Sequence, residues 1–304
     1  MNAILESYRD IPHQDEPSAV ALGFFDGVHT AHAQVIRAVL EQEGCVPTVL
    51  TFSTDTALPV SKAGSGLLMT EEQKRRRIAS FGIRRMFEPS FSEIGAFSAE
   101  EFFEEILCAR LRAQVLSCGY DYRFGKGAKG DTALLQKLCA ARGVRLIVIP
   151  RCSDHGITVS SSEIRRAISS GDMVRANELL GYRYTVDGVV IHGRSLGRTL
   201  GFPTLNQRLW KRLLLPKFGV YSSVTHIQGE THRSITNIGV KPTIEGDRAP
   251  LAETYMLDAE GDYYGKEASV ELLRMSRPEQ RFTSIKELKE TVLCDIAHRR
   301  AEWE

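Results

Sequence analysis

The feature that most constrains this chain is a change in the period of its apolar residues near Gly181. Ahead of it, short apolar runs alternate with helical patterns; beyond it, the period drops to two and helices vanish until the C-terminus. Ser18 to Phe24 is an apolar run, followed by a tight loop and then a helical pattern through Val35, Ile36, Val39 and Leu40. Val46 to Phe52, Val115 to Gly119 and Val144 to Ile149 predict further strands, with a helix around Leu134 to Leu138. Thr70 with Gln73 and Ser98 with Glu101 are reciprocal capping pairs, and Gly82 is a stop signal. Such alternation predicts a parallel sheet covered by helices on both faces, with ligands at the carboxyl ends of its strands.

Two short helices, Ser161 to Ile168 and Met173 to Leu180, lead to Gly181. The segments Tyr184 to Ile191, Gly219 to Ile227, Thr231 to Ile238, Leu251 to Leu257 and Ala268 to Leu273 then follow without intervening helices. That order predicts an antiparallel β-barrel, and Ser284 with Glu287 caps a last helix reaching about Trp303. The expected class is therefore α/β followed by β, with domains at 1–182 and 183–304. A length of 304 residues is enough for two separate cores.

Composition narrows the partners. A net charge of +1 argues against a duplex nucleic-acid binder. The one basic run, Lys74-Arg75-Arg76-Arg77, is expected as a solvated helix face, with phosphate contact the lesser alternative. Six cysteines without a Cys-x-x-Cys pair fit reduced thiols, no apolar run is long enough to span a bilayer, and Met1 to Pro17 is too polar for a signal peptide. A cytoplasmic protein without membrane or nucleic-acid partners is expected; the pattern fixes no oligomeric state.

The chemistry concentrates in four stretches. In Gly193-Arg194-Ser195-Leu196-Gly197-Arg198-Thr199-Leu200-Gly201-Phe202-Pro203-Thr204-Leu205-Asn206, glycines at intervals of four let backbone N–H groups approach an anion, and Arg198 can balance charge. Pro203 turns the chain toward a strand, on which Thr204 and Asn206 would share a face and offer two oxygens to magnesium. A glycine-rich hairpin with solvated arginines is the plainer alternative. It is not a Walker A loop, since no Gly-Lys-Ser/Thr follows.

The other three stretches lie in the first half. Gly23-Phe24-Phe25-Asp26-Gly27-Val28-His29 leads to His32, placing two imidazoles at a helix start where both can face an anion. Zinc is the rival reading of His-x-x-His, without an evident third ligand. Gly119 to Gly127 carries Asp121, Tyr122 and Phe124 between glycines, a wall for a planar ring or a core strand and turn. Val159-Ser160-Ser161-Ser162-Glu163-Ile164-Arg165 runs serines into a helix, suited to polyphosphate or to an ordinary N-cap.

The fourteen-residue glycine string resembles the riboflavin kinase signature, in which Pro-Thr-x-Asn holds magnesium-ATP. The three upstream loops, in this order and spacing, resemble the FMN adenylyltransferase module. Together they identify the chain with the bifunctional bacterial riboflavin kinase and FAD synthetase family over essentially its whole length. The resemblance implies a Rossmann-like nucleotidyltransferase domain followed by the kinase barrel. It implies that ATP phosphorylates riboflavin to FMN with release of ADP, and that a second ATP adenylylates FMN to FAD with release of pyrophosphate. Gly23, Phe25, Asp26, Gly27, Ser161, Ser162, Gly193, Gly197, Arg198 and Gly201 then bind nucleotide, while His29, His32 and Arg165 stabilise charge. Asp121 and Phe124 contact flavin in the first domain; Arg277 and Phe282 line it in the second. Glu253, otherwise either an edge-strand charge or a partly desolvated base, becomes the base for the riboflavin 5′-hydroxyl. Phe282 could equally staple the last helix. Two departures stand out: Ala31 replaces a glycine, and Ser53-Thr54-Asp55-Thr56 lacks the usual Pro-His-Pro. A kinase with a degenerate first domain and a non-enzymatic flavin binder are the alternatives.

Overall fold

The computed structural model describes residues 2–3, 7–53, 64, 66–193, 197, 200–242, 248–259 and 261–302. Arg198 and residues 54–56 lie outside them. The chain divides into two compact units, Met1–Ser161 and Ser162–Glu304.

In the first unit, among the described residues, six parallel strands form one sheet in the order β1-β4-β3-β2-β5-β6. They are β1 (Asn2–Ala3), β2 (Ser18–Leu22), β3 (Val46–Leu50), β4 (Arg85–Phe87), β5 (Ala113–Gly119) and β6 (Arg145–Ile149). β2 is buried along its whole length, as a parallel strand covered on both faces must be. The chain adds strands to one side of β2 and then crosses to β5, so the order reverses between them. The loops at 23–29 and 120–131 follow the carboxyl ends of these two strands, where open α/β sheets take their ligands.

Helix α1 (Thr30–Leu40) buries Ala33, Val35, Ile36 and Val39. Helix α2 (Glu71–Ala79) opens with the expected capping box between Thr70 and Gln73. After α3 (Phe91–Ile94), the Ser98–Glu101 box starts α4 (Ala99–Glu101), which continues as a wider π-type winding over Phe102–Arg110. Helix α5 (Thr132–Arg142) is capped by Asp131 and stopped by Gly143 in the left-handed region.

The basic run on α2 departs from expectation. Lys74 is 2 % exposed and lies 3.3 Å from Glu88, itself 1 % exposed, while donating to the Phe52 carbonyl at 2.8 Å. Arg75 binds both Glu88 and Glu71, and Ser53 donates to Glu71 at 3.1 Å. Half of the run is thus a buried ion-pair network behind the ends of β3 and β4. Glu71 is the i,i+4 partner of Arg75 on the same helix, but Glu88, which follows β4, is invisible to a charge count along that helix.

The serine loop also differs from its expected setting. A small hairpin, β7 (Ser153–Asp154) with β8 (Ile157–Thr158), separates it from β6, so it does not follow a strand of the main sheet.

The second unit contains α7 (Met173–Leu180), preceded by α6 (Ser161–Ser170), and a closed barrel. The barrel comprises β9 (Tyr184–Ile191), β10 (Leu205–Arg208), β11 (Gly219–Ile227), β12 (Glu230–Pro242), β13 (Arg248–Met256) and β14 (Glu267–Pro278). Every pair is antiparallel, in the order β10-β13-β12-β11-β14-β9. Gly181, at φ 73°, ends α7, whose Asn177 donates to the Leu272 carbonyl at 2.9 Å and accepts from Tyr184 N–H at 2.7 Å.

The barrel interior mixes apolar side chains such as Val186, Ile238 and Val270 with a hydroxyl ladder. Ser223 bonds Ser234 and Thr236 at 2.8 Å each, and Thr236 bonds Thr254 at 2.9 Å. Each hydroxyl of the ladder finds another, so the ladder itself carries little desolvation cost. Outside the barrel lies α8 (Ile285–Ala301), with Val292 and Ile296 against Phe202, Val220, Ile235 and Tyr255. Ser284 caps it, whereas the Glu287 carboxylate reaches back to Thr283.

Candidate active sites

The outer face of the barrel carries the first site. Strand register places Asn206 of β10 opposite Glu253 of β13, and Glu253 opposite Asn237 of β12. Asn237 in turn pairs with Val220 of β11, and Val220 with Arg277 of β14. Directly paired residues share a face and sit about 5 Å apart, so the five side chains form one row across five strands. Asn206, Glu253 and Arg277, scattered through the sequence, thus belong to one surface. Asn237 Nδ2 donates to Glu253 Oε2 at 3.3 Å.

At the Asn206 end the glycine string closes on the row. A Cβ on Gly193 would stand 2.5 Å from Asn206 Nδ2 and 2.8 Å from its Oδ1. One on Gly197 would stand 2.5 Å from the Phe202 carbonyl and 3.4 Å from Thr204 Oγ1. Phe202 N–H donates to the Gly197 carbonyl at 2.9 Å. Both glycines are therefore required by close approach, whereas Gly201, at φ 93°, has open space around it and serves the turn. Thr204 precedes β10, which begins at Leu205, so it sits beside Asn206 as the residue entering the strand. Asn206 Nδ2 bonds the Thr204 carbonyl at 3.3 Å, which makes Oδ1 the amide atom suited to a cation.

Gly193, Thr204 and Asn206 also line a cavity of about 200 Å³ at one end of the barrel, with Asp262, Tyr263 and Tyr264 on its far wall. His192 stacks on Tyr264 with ring centroids 3.8 Å apart. The sequence reading did not assign Tyr263, His192 or Asn237. Tyr263 and His192 lie in loops of no marked pattern, and Asn237 becomes visible only when the strands are in register.

Arg277 does not project freely. Its guanidinium binds Asp295 of α8, with Nε 3.1 and 3.0 Å from the two carboxylate oxygens and Nη2 at 2.9 Å. It also lies 5.8 Å from the centroid of the Phe282 ring. The expected flavin segment is thereby fastened to the last helix.

In the first unit, the loop between β2 and α1 is strained and firmly held. Phe25 (φ 53°), Gly27 (φ 83°) and Val28 (φ 33°) all have positive φ, costing the two non-glycines on the order of 1–3 kcal/mol each. Three hydrogen bonds hold the strain: Leu68 N–H to Asp26 Oδ1 at 2.9 Å, Thr51 Oγ1 to the Phe24 carbonyl at 3.0 Å, and Ser161 Oγ to the Asp26 carbonyl at 3.1 Å. Gly23 leaves room for the Phe25 ring, 2.9 Å from where its Cβ would be.

His29 is the N-cap of α1, its Nδ1 accepting the His32 N–H at 3.3 Å. A neutral ring accepting at Nδ1 carries its proton on Nε2, where it can donate. The His29 and His32 rings stack with centroids 3.6 Å apart, so the two imidazoles lie face to face. Among the described residues no group of three or more His, Cys, Asp or Glu lies together in a way that could hold a metal.

Ser161 opens α6 and is tied to the strained loop; Ser162 and Arg165 follow on that helix, within the second unit. Asp121 is exposed in the turn after β5. Phe124 is 6 % exposed, stacked on Tyr122 at 5.7 Å and packed against Phe102 at 5.9 Å. It completes the core at this end of the sheet, the second of the two roles open to it from sequence.

The family model described as riboflavin kinase matches residues 180–302, and that described as FAD synthetase matches residues 11–163. A bifunctional riboflavin kinase/FMN adenylyltransferase of Listeria monocytogenes is 35% identical over 90% of this chain and 88% of its own length. The chain belongs to this family.

A bifunctional riboflavin kinase/FMN adenylyltransferase of Bacillus subtilis is 33% identical over 94% of this chain and 92% of its own length, and one of Escherichia coli 34% over 92% and 91%. A crystal structure described as a macrolide-efflux protein from Streptococcus pneumoniae superimposes with a TM-score of 0.88, at 27% identity over 100% of this chain and 99% of that one. Among the described residues no helix is long and apolar enough to cross a membrane. The riboflavin kinase region takes in the glycine cradle, the barrel row and α8; the FAD synthetase region takes in the strained loop, the histidine pair and Ser161.

Proposed function

We propose that the two steps of flavin cofactor synthesis are divided between residues 183–304, which phosphorylate riboflavin, and residues 1–182, which adenylylate FMN. The observation that carries the assignment is the pairing of Asn206 with Glu253 beside the Gly193–Gly197 cradle. It sets an oxygen donor for a cation and a candidate base one strand apart, next to the cavity lined by Gly193, Thr204 and Asn206.

In the kinase step, Glu253 accepts the proton of the riboflavin 5′-hydroxyl as that oxygen bonds to the γ-phosphorus of ATP and the bond to ADP breaks. Gly193 and Gly197 admit the phosphates, Tyr264, stacked on His192, offers a ring to the nucleotide at the cavity wall, and Arg277 and Phe282 border the flavin. Thr204 Oγ1 and Asn206 Oδ1, both hard oxygens at the cradle, fit a magnesium ion. Bound with ATP, magnesium supplies neutralisation of phosphate charge.

In the adenylyl step, the FMN phosphate attacks the α-phosphorus of ATP and pyrophosphate leaves, giving FAD. The nucleophile is already an anion, so no base is needed. His29 through Nε2–H, His32, Ser161, Ser162 and Arg165 stabilise the charge developing at the α-phosphate and on the leaving group. Gly23, Phe25, Asp26 and Gly27 shape the loop that receives the nucleotide, and Asp121 offers the flavin contact on the turn after β5, Phe124 being taken up by the core. Six free cysteines suit a reducing cytoplasm; burial pushes the Cys118 thiol up to about 12 and Cys139 to about 11, keeping both protonated and unreactive.

The test is incubation with ATP and magnesium and either riboflavin or FMN, followed by product analysis. Wild type yields FMN and FAD. Glu253→Gln lowers riboflavin phosphorylation about 10²- to 10⁴-fold with adenylylation of supplied FMN intact. The double variant His29→Ala, His32→Ala does the reverse. FMN without FAD would establish a kinase alone, and neither product a binding protein.

A further inference from the structure

Glu253 stands between two amides in the barrel row, and they differ in kind. Asn206 is committed to the cradle, its Nδ2 on the Thr204 carbonyl and its side chain in the space that a Cβ on Gly193 would crowd. Asn237 has no part in the cradle or the cavity. Its Nδ2 points across the strands to Glu253 Oε2 at 3.3 Å. An ionised carboxylate only accepts, so the amide must present its nitrogen, and this fixes which way Asn237 faces.

The surroundings preserve that orientation. Thr236 and Ile238, the neighbours of Asn237 on β12, are both wholly buried inside the barrel, and Thr236 is bonded to Ser223 and Thr254. Their burial holds the strand in register and turns Asn237 outward, onto the face of Glu253. Gly239, two residues on, leaves room for the Glu279 carboxylate: a Cβ there would stand 2.8 Å from Glu279 Oε1, and 3.8 Å from Asn237 Nδ2. Of the rotamers open to a glutamate only some aim an oxygen at the substrate hydroxyl, and the Asn237 amide favours those that keep Oε2 within its reach. A contact as long as 3.3 Å orients one carboxylate oxygen without immobilising the group.

We infer that Asn237 is a positioning residue for the kinase, holding the Glu253 carboxylate in the rotamer from which it takes the 5′-hydroxyl proton. The inference rests on Glu253 being the base. It assigns Asn237 no contact with ATP, so the role shows in turnover rather than in substrate binding.

The experiment measures riboflavin phosphorylation by the full chain for Asn237→Leu, which removes the donor, and Asn237→Asp, which keeps the shape but sets a carboxylate against a carboxylate. Both should lower kcat about 10- to 100-fold with KM for riboflavin and ATP within about three-fold, Asn237→Asp the more strongly. In a Glu253→Gln background either change should cost less than about two-fold, because the group being oriented is gone. FMN adenylylation and Tm, read on the same samples, show whether the chain is folded; should Asn237→Leu unfold the barrel, the isosteric Asn237→Asp carries the test. Wild-type kcat in a folded variant, a loss confined to KM, or losses that multiply in the double variant would each overturn the inference. Near-normal kcat in Glu253→Gln alone would instead remove the base on which it rests.

Discussion

Gly193→Ala separates function from stability at the kinase site. Gly193 is outside the left-handed region, so alanine meets no backbone objection there. Its Cβ would stand 2.5 Å from Asn206 Nδ2 and 2.7 Å from Cγ, against ordinary contact beginning at 3.4 Å. Asn206 must therefore retreat by about 0.9 Å, the difference between those two distances. The obstacle is a short side chain rather than backbone, so the fold absorbs the shift for about 1 kcal/mol. The same shift moves the amide oxygen proposed to hold the cation. Misplacement of about 1 Å in a positioned group costs on the order of 10²-fold in rate. Steady-state riboflavin phosphorylation should thus fall about 100-fold, with FMN adenylylation unchanged and Tm lowered by only a few degrees. Gly201→Ala is the contrasting control. Its φ of 93° makes alanine strained but no atom lies within 4 Å, so it should cost about 1–2 kcal/mol of backbone strain and much less activity. A kcat for Gly193→Ala within about three-fold of wild type, at equal magnesium dependence, would refute the assignment of Asn206.

Lys74→Met leaves the buried Glu88 with Arg75 alone, and should destabilise the first unit by about 3 kcal/mol, roughly 6–12 °C in Tm; an unchanged Tm would return the run to a surface role. A fragment beginning at residue 162 should unfold at a higher temperature than one beginning at 183. The shorter fragment loses the Asn177 bonds to Leu272 and Tyr184, and the buried Met173, Ala176, Leu179 and Leu180. Equal Tm values in calorimetry would show that α7 adds nothing to the barrel.

Much of this molecule is local and could be read along the chain. The capping boxes at Thr70–Gln73 and Ser98–Glu101, the helix stop at Gly181 and the strands Tyr184–Ile191 and Gly219–Ile227 depend on residues a few positions apart. A cap is satisfied within one turn and a strand's alternation within one strand, so sequence alone carries both. The glycine spacing before Pro203-Thr204 was legible for a related reason: close approach to a ligand or to the next turn restricts residue type at each position.

What only the tertiary structure decided is which distant residues meet. Lys74 and Arg75 read as surface charges until β4 brought Glu88 against them, because burial of a charge depends on a partner that helical spacing does not contain. Phe124 could have been an open wall or core, and packing against Tyr122 and Phe102 chose core. Glu253 could have been a surface charge; the barrel's register set it between Asn206 and Asn237. Moving that register by one residue would turn every side chain of the strand to the opposite face, and no residue within the strand records which partner lies opposite. That choice belongs to barrel closure and to the buried ladder from Ser223 to Thr254, which hold the strands in the one alignment that fills the interior and satisfies its hydroxyls.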